Sequence, residues 1–347
     1  MGKNKLNRVN ELCKKLSLKL AVSKYKFIVN SPRGIFEIIL MDKNKIKKTV
    51  IIIGYRCNNR CRFCNDANKR ELHNKTTKEI QQEMIDAKNR GTTYIELIGG
   101  ETTIRPDAVE LIKFAKNLGF KTINMATNGR MFSYLEFTKK VIKAGLTDII
   151  FSIHGHNAKI HDYLTQSPGS FDQLLEGLNN FKKLGFKKIG SNTTIVKQNY
   201  KYLPQIGQFI YNQGIRNSEF IFVDPNYGGA YDNFDKLVPQ ISKIAPYVKN
   251  CLDIGKKNKI PHWHIRYVPL CYFQDHLDQI SELQEVATFK TEHLAPDFEN
   301  FDVENSRKSI GRKKTKKCKD CKLFDSCEGI WKEYLKRYGD KELEPIE

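Results

Sequence analysis

From residue 48 onward one unit recurs: a short apolar run, a loop, and a helical stretch that stops at a glycine. The apolar runs lie near 49–55, 94–98, 122–126, 148–153, 188–196 and 219–223. The helical stretches stop near Gly91, Gly119, Gly145, Gly185 and Gly214, where a left-handed residue closes a helix. Thr76-Thr-Lys-Glu79, Ser133-Tyr-Leu-Glu136 and Ser170-Phe-Asp-Gln173 each fit a capping box. Ile80, Met84 and Ala87 share one face of the first helix. A sixth helix is expected over 237–257. Parallel strands need crossover connections, so this alternation predicts a parallel sheet.

Two α/β folds satisfy that pattern, a doubly wound sheet and an incomplete (β/α)6 barrel of the TIM type. In a barrel, chemistry gathers on the loops that follow each strand. The unusual polar residues sit at those places: Cys57–Cys64, Gly99-Gly-Glu101, Thr127-Asn-Gly129, Ser152-Ile-His154-Gly155, Asn192 and Asp224-Pro-Asn226. One shared rim explains all six, which selects the partial barrel. The expected division is an N-terminal helix and hairpin over 1–47, the barrel over 48–258, and a small Cys-rich domain over 259–347. In the first segment Leu6, Val9, Cys13, Leu16 and Leu20 have helical spacing. Tyr25–Val29 and Ile35–Met41 flank a Pro/Gly turn and read as a hairpin.

The first rim motif, Cys57-Asn-Asn-Arg-Cys61-Arg-Phe-Cys64, packs three thiols into eight residues after a buried strand. Thiolates select iron–sulfur clusters, zinc or cuprous copper. Three of them wrapped around a cuboidal cluster leave one iron open. The motif resembles the Cx3CxΦC signature of the radical S-adenosylmethionine (radical SAM) superfamily, and the resemblance extends over roughly residues 48–235. It implies that Cys57, Cys61 and Cys64 hold a catalytic 4Fe–4S cluster whose open iron is chelated by S-adenosylmethionine (SAM). It implies reductive cleavage of SAM to a 5′-deoxyadenosyl radical that takes hydrogen from a substrate. Gly99, Gly100 and Glu101 resemble the family's Gly-Gly-Glu-Pro loop, with Thr102 in place of Pro. On the same ground Phe63 lines the adenine side, and Asn128, Ser152 and Asn192 serve the ribose and carboxylate of SAM. His154 is a SAM or substrate contact from its place on the rim, while His156 and His161 fix the loop or the surface.

Near the C-terminus, Cys318, Cys321 and Cys327 are spaced x2 then x5. This resembles the tail of SPASM and Twitch radical SAM enzymes, although Trp331 stands where a full SPASM tail has another Cys. With Cys271 the count is four, which suits one auxiliary 4Fe–4S cluster; a four-cysteine zinc knuckle has the same ligands. Cys251 and Cys13 are expected in apolar packing.

The chain has 347 residues and nine cysteines, and the N-terminal residues lack the apolar core of a secretory signal. A reducing cytoplasm is therefore the expected compartment, with no membrane span. The net charge of +20 is spread along the chain, and its one dense run, Arg307–Lys322, flanks the tail cysteines. The expected substrate is a peptide or protein, or a small molecule, with a ferredoxin or flavodoxin as electron donor. RNA or nucleotide modification is the second expectation, though nucleic acid is not the favoured partner. A non-catalytic zinc or iron–sulfur protein that binds nucleic acid is the third.

Overall fold

The structure, a computed structural model, describes residues 45–347 together with the backbone of three earlier strands. Two compact units result, Met1–Lys45 and Ile46–Glu347. The first contains the antiparallel strands β1 (Lys19–Ser23), β2 (Lys26–Ser31) and β3 (Gly34–Ile38), in that order. The expected hairpin is β2–β3, with Ser31 opposite Gly34 and Phe27 opposite Ile38. Leu20, placed by its spacing on a helix, instead lies in β1, opposite Val29. The rest of that expected helix, with Cys13, lies outside the described residues.

The second unit holds the six anticipated strands: β4 (Ile46–Ile52), β5 (Tyr94–Ile98), β6 (Thr122–Thr127), β7 (Asp148–Ser152), β8 (Ile189–Ile195) and β9 (Asn217–Phe222). All pair in parallel with their sequence neighbours. Two more strands extend this sheet. β10 (His262–Arg266) pairs in parallel with β9, and β11 (Phe289–Leu294) pairs in parallel with β4. A two-residue β12 (Glu299–Asn300) adds antiparallel to β11. The parallel order is β10-β9-β8-β7-β6-β5-β4-β11. β10 and β11 do not pair with each other, so the barrel stays open along that seam.

The sequence places a strand at 265–271 and irregular chain over 290–317. The strand is in fact β10, which ends at Arg266, and 289–294 is β11. Phe-Lys-Thr-Glu-His-Leu hides its strand character because its charged residues find distant partners. Glu292 accepts from Thr49 Oγ1 at 2.6 Å and pairs with Arg90 at 2.6 Å.

The connecting helices are α1 (Thr77–Asn89), α2 (Ala108–Asn117), α3 (Leu135–Ala144), α4 (Ala158–Thr165), α5 (Ser170–Lys183), α6 (Leu203–Asn212) and α7 (Ile241–Lys257). α1 carries the full capping box at Thr76 and Glu79 and buries Ile80, Met84 and Ala87. The other two boxes do not form. Ser133 Oγ turns back to Arg130 O at 2.7 Å. Ser170 Oγ instead meets Asp162, which also accepts from Gly169 N and Phe171 N. Along the strands, alternate residues separate two environments. Phe151, Thr193, Phe220 and Trp263 are fully buried beneath the helices, whereas Ser152, Asn192, Glu219 and Arg266 are half-buried on the inner face.

The open seam is filled by charge. Arg266 bonds Glu219 at 2.9 Å and also Glu285, on helix α8 (Ser281–Thr288). Arg307 joins Glu285 at 2.8 Å to Glu328 at 3.0 Å. Arg312 joins Glu328 at 3.2 Å to Glu282 at 3.0 Å. The side chains of Arg312 and Glu328 are 1% and 3% exposed, so this network is internal. Both arginines of the basic run are thus structural, and its exposed cations are lysines.

Candidate active site

The loop after β4 is built from close backbone approaches. Gly100 N donates to Gly54 O at 2.8 Å, and Glu101 N donates to Arg56 O at 2.8 Å. A Cβ on Gly100 would lie 1.9 Å from Arg56 O, so only glycine lets the second rim loop touch the chain entering Cys57. Arg60 N and Arg62 N reach Thr165 O and Leu164 O, each at 2.9 Å, which docks the loop on the end of α4. Gly229 N bonds Cys64 O at 2.8 Å, and Cβ atoms on Gly228 or Gly229 would strike this same backbone. Segments following three strands, β5, β7 and β9, therefore grip one cysteine loop.

Cys57, Cys61 and Cys64 are unpaired and half-buried. Burial pushes the Cys57 thiol up to about 11 and raises those of Cys61 and Cys64. The other two cysteines add to the shift at Cys61, so the three sulfurs feel one another. An amide donor points at Cys57 nonetheless: Asn59 N lies 3.3 Å from Cys57 Sγ. Asn128 Nδ2 sits 3.8 Å from Cys57 Sγ and 2.7 Å from Asn58 Oδ1. Free thiolates are disfavoured here, yet N–H groups are aimed at Cys57 Sγ. That combination suits thiolates neutralised by bound iron. Among the described residues no three His, Cys, Asp or Glu side chains converge as they would on a single metal ion.

Glu101 is buried, and its carboxylate is engaged by its own surroundings. Oε1 accepts from Thr103 N at 3.1 Å, Thr103 Oγ1 at 2.6 Å and Thr127 Oγ1 at 2.8 Å. Oε2 accepts from Asn128 N at 2.7 Å. The carboxylate thus ties the second rim loop to the third, and Thr102 opens a short 3-10 turn that Glu101 caps. His154 is also internal. Its Nδ1 accepts from Thr194 N at 3.2 Å, and its backbone N–H donates to His161 Nδ1 at 3.2 Å. Burial holds its pKa well below the usual value. The ring meets the edge of Phe63 at 4.8 Å, so His154 backs the wall that Phe63 presents. Ser152 and Asn192 differ from both. They face each other in register on β7 and β8, half-exposed, with no side-chain hydrogen bond among the described residues.

Cys271, Cys318, Cys321 and Cys327 line one pocket with Leu270 and Phe324. Burial raises Cys271 to about 11, and the other three thiols add to the shift. Gly329 N lies 3.3 Å from Cys327 Sγ, and Ile346 N lies 3.5 Å from Cys321 Sγ. Cys251 stands apart, buried beside Gly207. Trp331 packs against Arg312 at 4.6 Å and Tyr267 at 5.0 Å.

Two residues near the cysteine loop escaped sequence reasoning. Arg130 Nη1 bonds Asn59 Oδ1 at 3.0 Å, and Arg70 Nη2 bonds Asn59 O at 2.9 Å. No spacing rule marks either one.

Residues 51–210 match the family profile described as the radical SAM superfamily. A probable GTP 3′,8-cyclase from Saccharolobus islandicus is 27% identical over 221 residues, 63% of this chain and 69% of the relative. An AdoMet-dependent heme synthase from Methanosarcina barkeri is 28% identical over 185 residues, 53% of this chain and 52% of the relative. Among solved structures, Streptococcus suis SuiB bound to S-adenosylmethionine superposes with a TM-score of 0.61 at 16% identity, covering 95% of this chain and 79% of SuiB. The protein anSMEcpe, with bound AdoMet and a peptide, gives 0.59 at 13% identity, covering 86% and 92%.

Proposed function

Because this chain belongs to the radical SAM superfamily of enzymes, whose members use a 4Fe–4S cluster and SAM, we propose that Cys57, Cys61 and Cys64 hold that cluster by three irons. When bound, cluster and SAM supply a 5′-deoxyadenosyl radical that takes hydrogen from the substrate. The observation that carries the assignment is the direct backbone pairing of the Gly99-Gly100-Glu101 loop with the chain entering Cys57. It sets the ligand-binding loop beside the thiols. Glu101 positions Thr127 and Asn128, and Asn128 in turn reaches Cys57. Ser152 and Asn192 keep free hydrogen-bonding capacity for the polar groups of SAM. Phe63 over His154 closes an apolar wall that keeps water off. After anaerobic loading with iron and sulfide, dithionite and SAM should yield 5′-deoxyadenosine. Its absence overturns the assignment.

The four-thiol pocket would hold an auxiliary 4Fe–4S cluster, fully ligated by protein, with an acidic ferredoxin or flavodoxin supplying electrons to the enzyme. The substrate we propose is a peptide or protein. Supporting it, the fold likeness to SuiB spans the tail region, and SuiB has also been solved bound to its precursor peptide SuiA. A nucleotide-derived small molecule is the second reading, favoured by the sequence likeness to a probable GTP 3′,8-cyclase. Incubation of the loaded enzyme with GTP, or with candidate peptides encoded beside its gene, separates the two by which one stimulates 5′-deoxyadenosine release.

A further inference from the structure

Three arginines are threaded through the cysteine loop. Arg56 adjoins Cys57, while Arg60 and Arg62 flank Cys61, and no acidic residue occurs from Gly54 to Asn65. Arg56 and Arg60 are exposed, and neither side chain makes an ion pair or hydrogen bond among the described residues. Arg62 lies along Tyr163: its Nε donates to Tyr163 O at 2.9 Å, and its guanidinium stacks on the ring at 4.1 Å. Tyr163 is itself 48% exposed, an aromatic left in solvent beside a cation. Lys159, one turn earlier on α4, is exposed on the same helix face. Asp162, the one acid of α4, is committed to Gly169 N, Ser170 Oγ and Phe171 N. The remaining cations nearby are engaged. Lys69 pairs with Asp297 at 2.7 Å, and Arg70 and Arg130 brace Asn59.

We propose that Arg56, Arg60, Arg62, Tyr163 and Lys159 form the docking face for an acidic one-electron carrier protein. The inference rests on the assignment of Cys57, Cys61 and Cys64 above, because a cluster there must be reduced before SAM is cleaved. One electron leaves the carrier and enters the cluster, and no atom is exchanged. Each of the three arginines is one residue, about 3.8 Å of chain, from a ligand cysteine. A carrier held by them is brought to the thiolates by the shortest covalent route. Opposite charge steers such an encounter and raises its rate. Guanidinium forks match surface carboxylates, and an arginine stacked on a tyrosine is the kind of pair that interfaces favour. A nucleic acid also seeks cations, but its footprint is a track of many phosphate contacts. Here four cations gather on one loop and one helix turn.

The test uses the full chain, loaded anaerobically with iron and sulfide, and an acidic flavodoxin with its reductase as electron source. Binding is measured by titration calorimetry. 5′-Deoxyadenosine formation driven by flavodoxin is divided by that driven by dithionite, a small reductant that needs no docking face. Arg56→Glu with Arg60→Glu should weaken binding and lower this ratio, each by about tenfold or more. Lys159→Glu, outside the cysteine loop, should weaken binding about threefold. Raising ionic strength from about 10 to about 150 mM shortens the screening length from about 30 to about 8 Å, and should erase most of the parent's advantage. Unchanged binding and an unchanged ratio in the double variant overturn the inference. If the double variant loses iron, Lys159→Glu decides, and unchanged binding there overturns it. Loss of tRNA binding in variants that still bind flavodoxin as the parent does assigns the face to nucleic acid and overturns it too. A parent that makes no 5′-deoxyadenosine with dithionite removes the underlying assignment instead, and this inference with it.

Discussion

The two cysteine sets are held by opposite kinds of structure. The loop of Cys57, Cys61 and Cys64 is gripped by backbone hydrogen bonds and by glycines that leave no room for a side chain. The tail set of Cys271, Cys318, Cys321 and Cys327 is anchored by a buried ion network, with Glu328 beside Cys327 clamped by Arg307 and Arg312. The first set offers three sulfurs and the second offers four. A loop fixed by main chain relies on no carboxylate and leaves a cluster corner for an exchangeable ligand. A tail fixed by charge is closed around its pocket and depends on its carboxylates staying ionised.

Removing one sulfur from each set breaks the comparison most sharply. Cys61→Ala should reduce 5′-deoxyadenosine formation to background. Cys327→Ala should lower bound iron by about four atoms per chain and leave SAM cleavage detectable. Equal loss of cleavage in both would mean the sets are not separable. Next in size is the seam. Arg312→Met removes the cation shared by the buried Glu282 and Glu328, and should cost about 3–5 kcal/mol in denaturant unfolding, with the tail losing amide protection before the loop.

Acid should act on the two regions in the reverse order. His161 accepts the His154 amide beside the cysteine loop, and burial lowers its pKa from 6.5 to about 4. A lowered histidine contributes full stability above 6.5 and loses it as pH falls toward 4. In the seam, Glu285 is lowered from 4.5 to about 2, principally by Arg266 and Arg307 acting against burial. Its contribution is complete above 4.5 and is lost only as pH falls toward 2. Hydrogen exchange between pH 6.5 and 4.5 should therefore loosen the Arg60 and Arg62 amides first, while Cys327 and Gly329 stay protected. The smallest expected effect is a control. Cys251 belongs to neither set, so Cys251→Ala should cost about 1 kcal/mol and leave bound iron unchanged.

The same contrast explains what the sequence disclosed. Backbone-defined parts write themselves locally. The three-thiol spacing, Gly99-Gly100, the Thr76–Glu79 box and the helix-stop glycines are all readable within a few residues. Parts defined by distant charge do not. β11 reads as polar chain because Glu292 finds Thr49 and Arg90 only after folding. The sequence shows Arg307–Lys322 only as a dense basic run beside the tail cysteines, although Arg307 and Arg312 turn inward. Glu101 was legible as a candidate site residue, but its commitment to Thr103, Thr127 and Asn128 was not. Arg70 follows Cys64 across a turn that brings it back to Asn59 O in the cysteine loop, and nothing in residue spacing announces such a return.

The parallel pairing of β11 with β4 has a consequence for synthesis. Thr49 and Glu292, which bond across that pair, are 243 positions apart. At ribosomal speed that interval takes roughly 12–50 s. Throughout it, Val50-Ile-Ile-Ile53 has an uncovered flank on the side that β11 will occupy, and such a flank invites pairing with another nascent chain. Cells making this protein should accumulate insoluble product when translation stalls before residue 294, and a chaperone that shields the strand during that interval should raise the soluble yield.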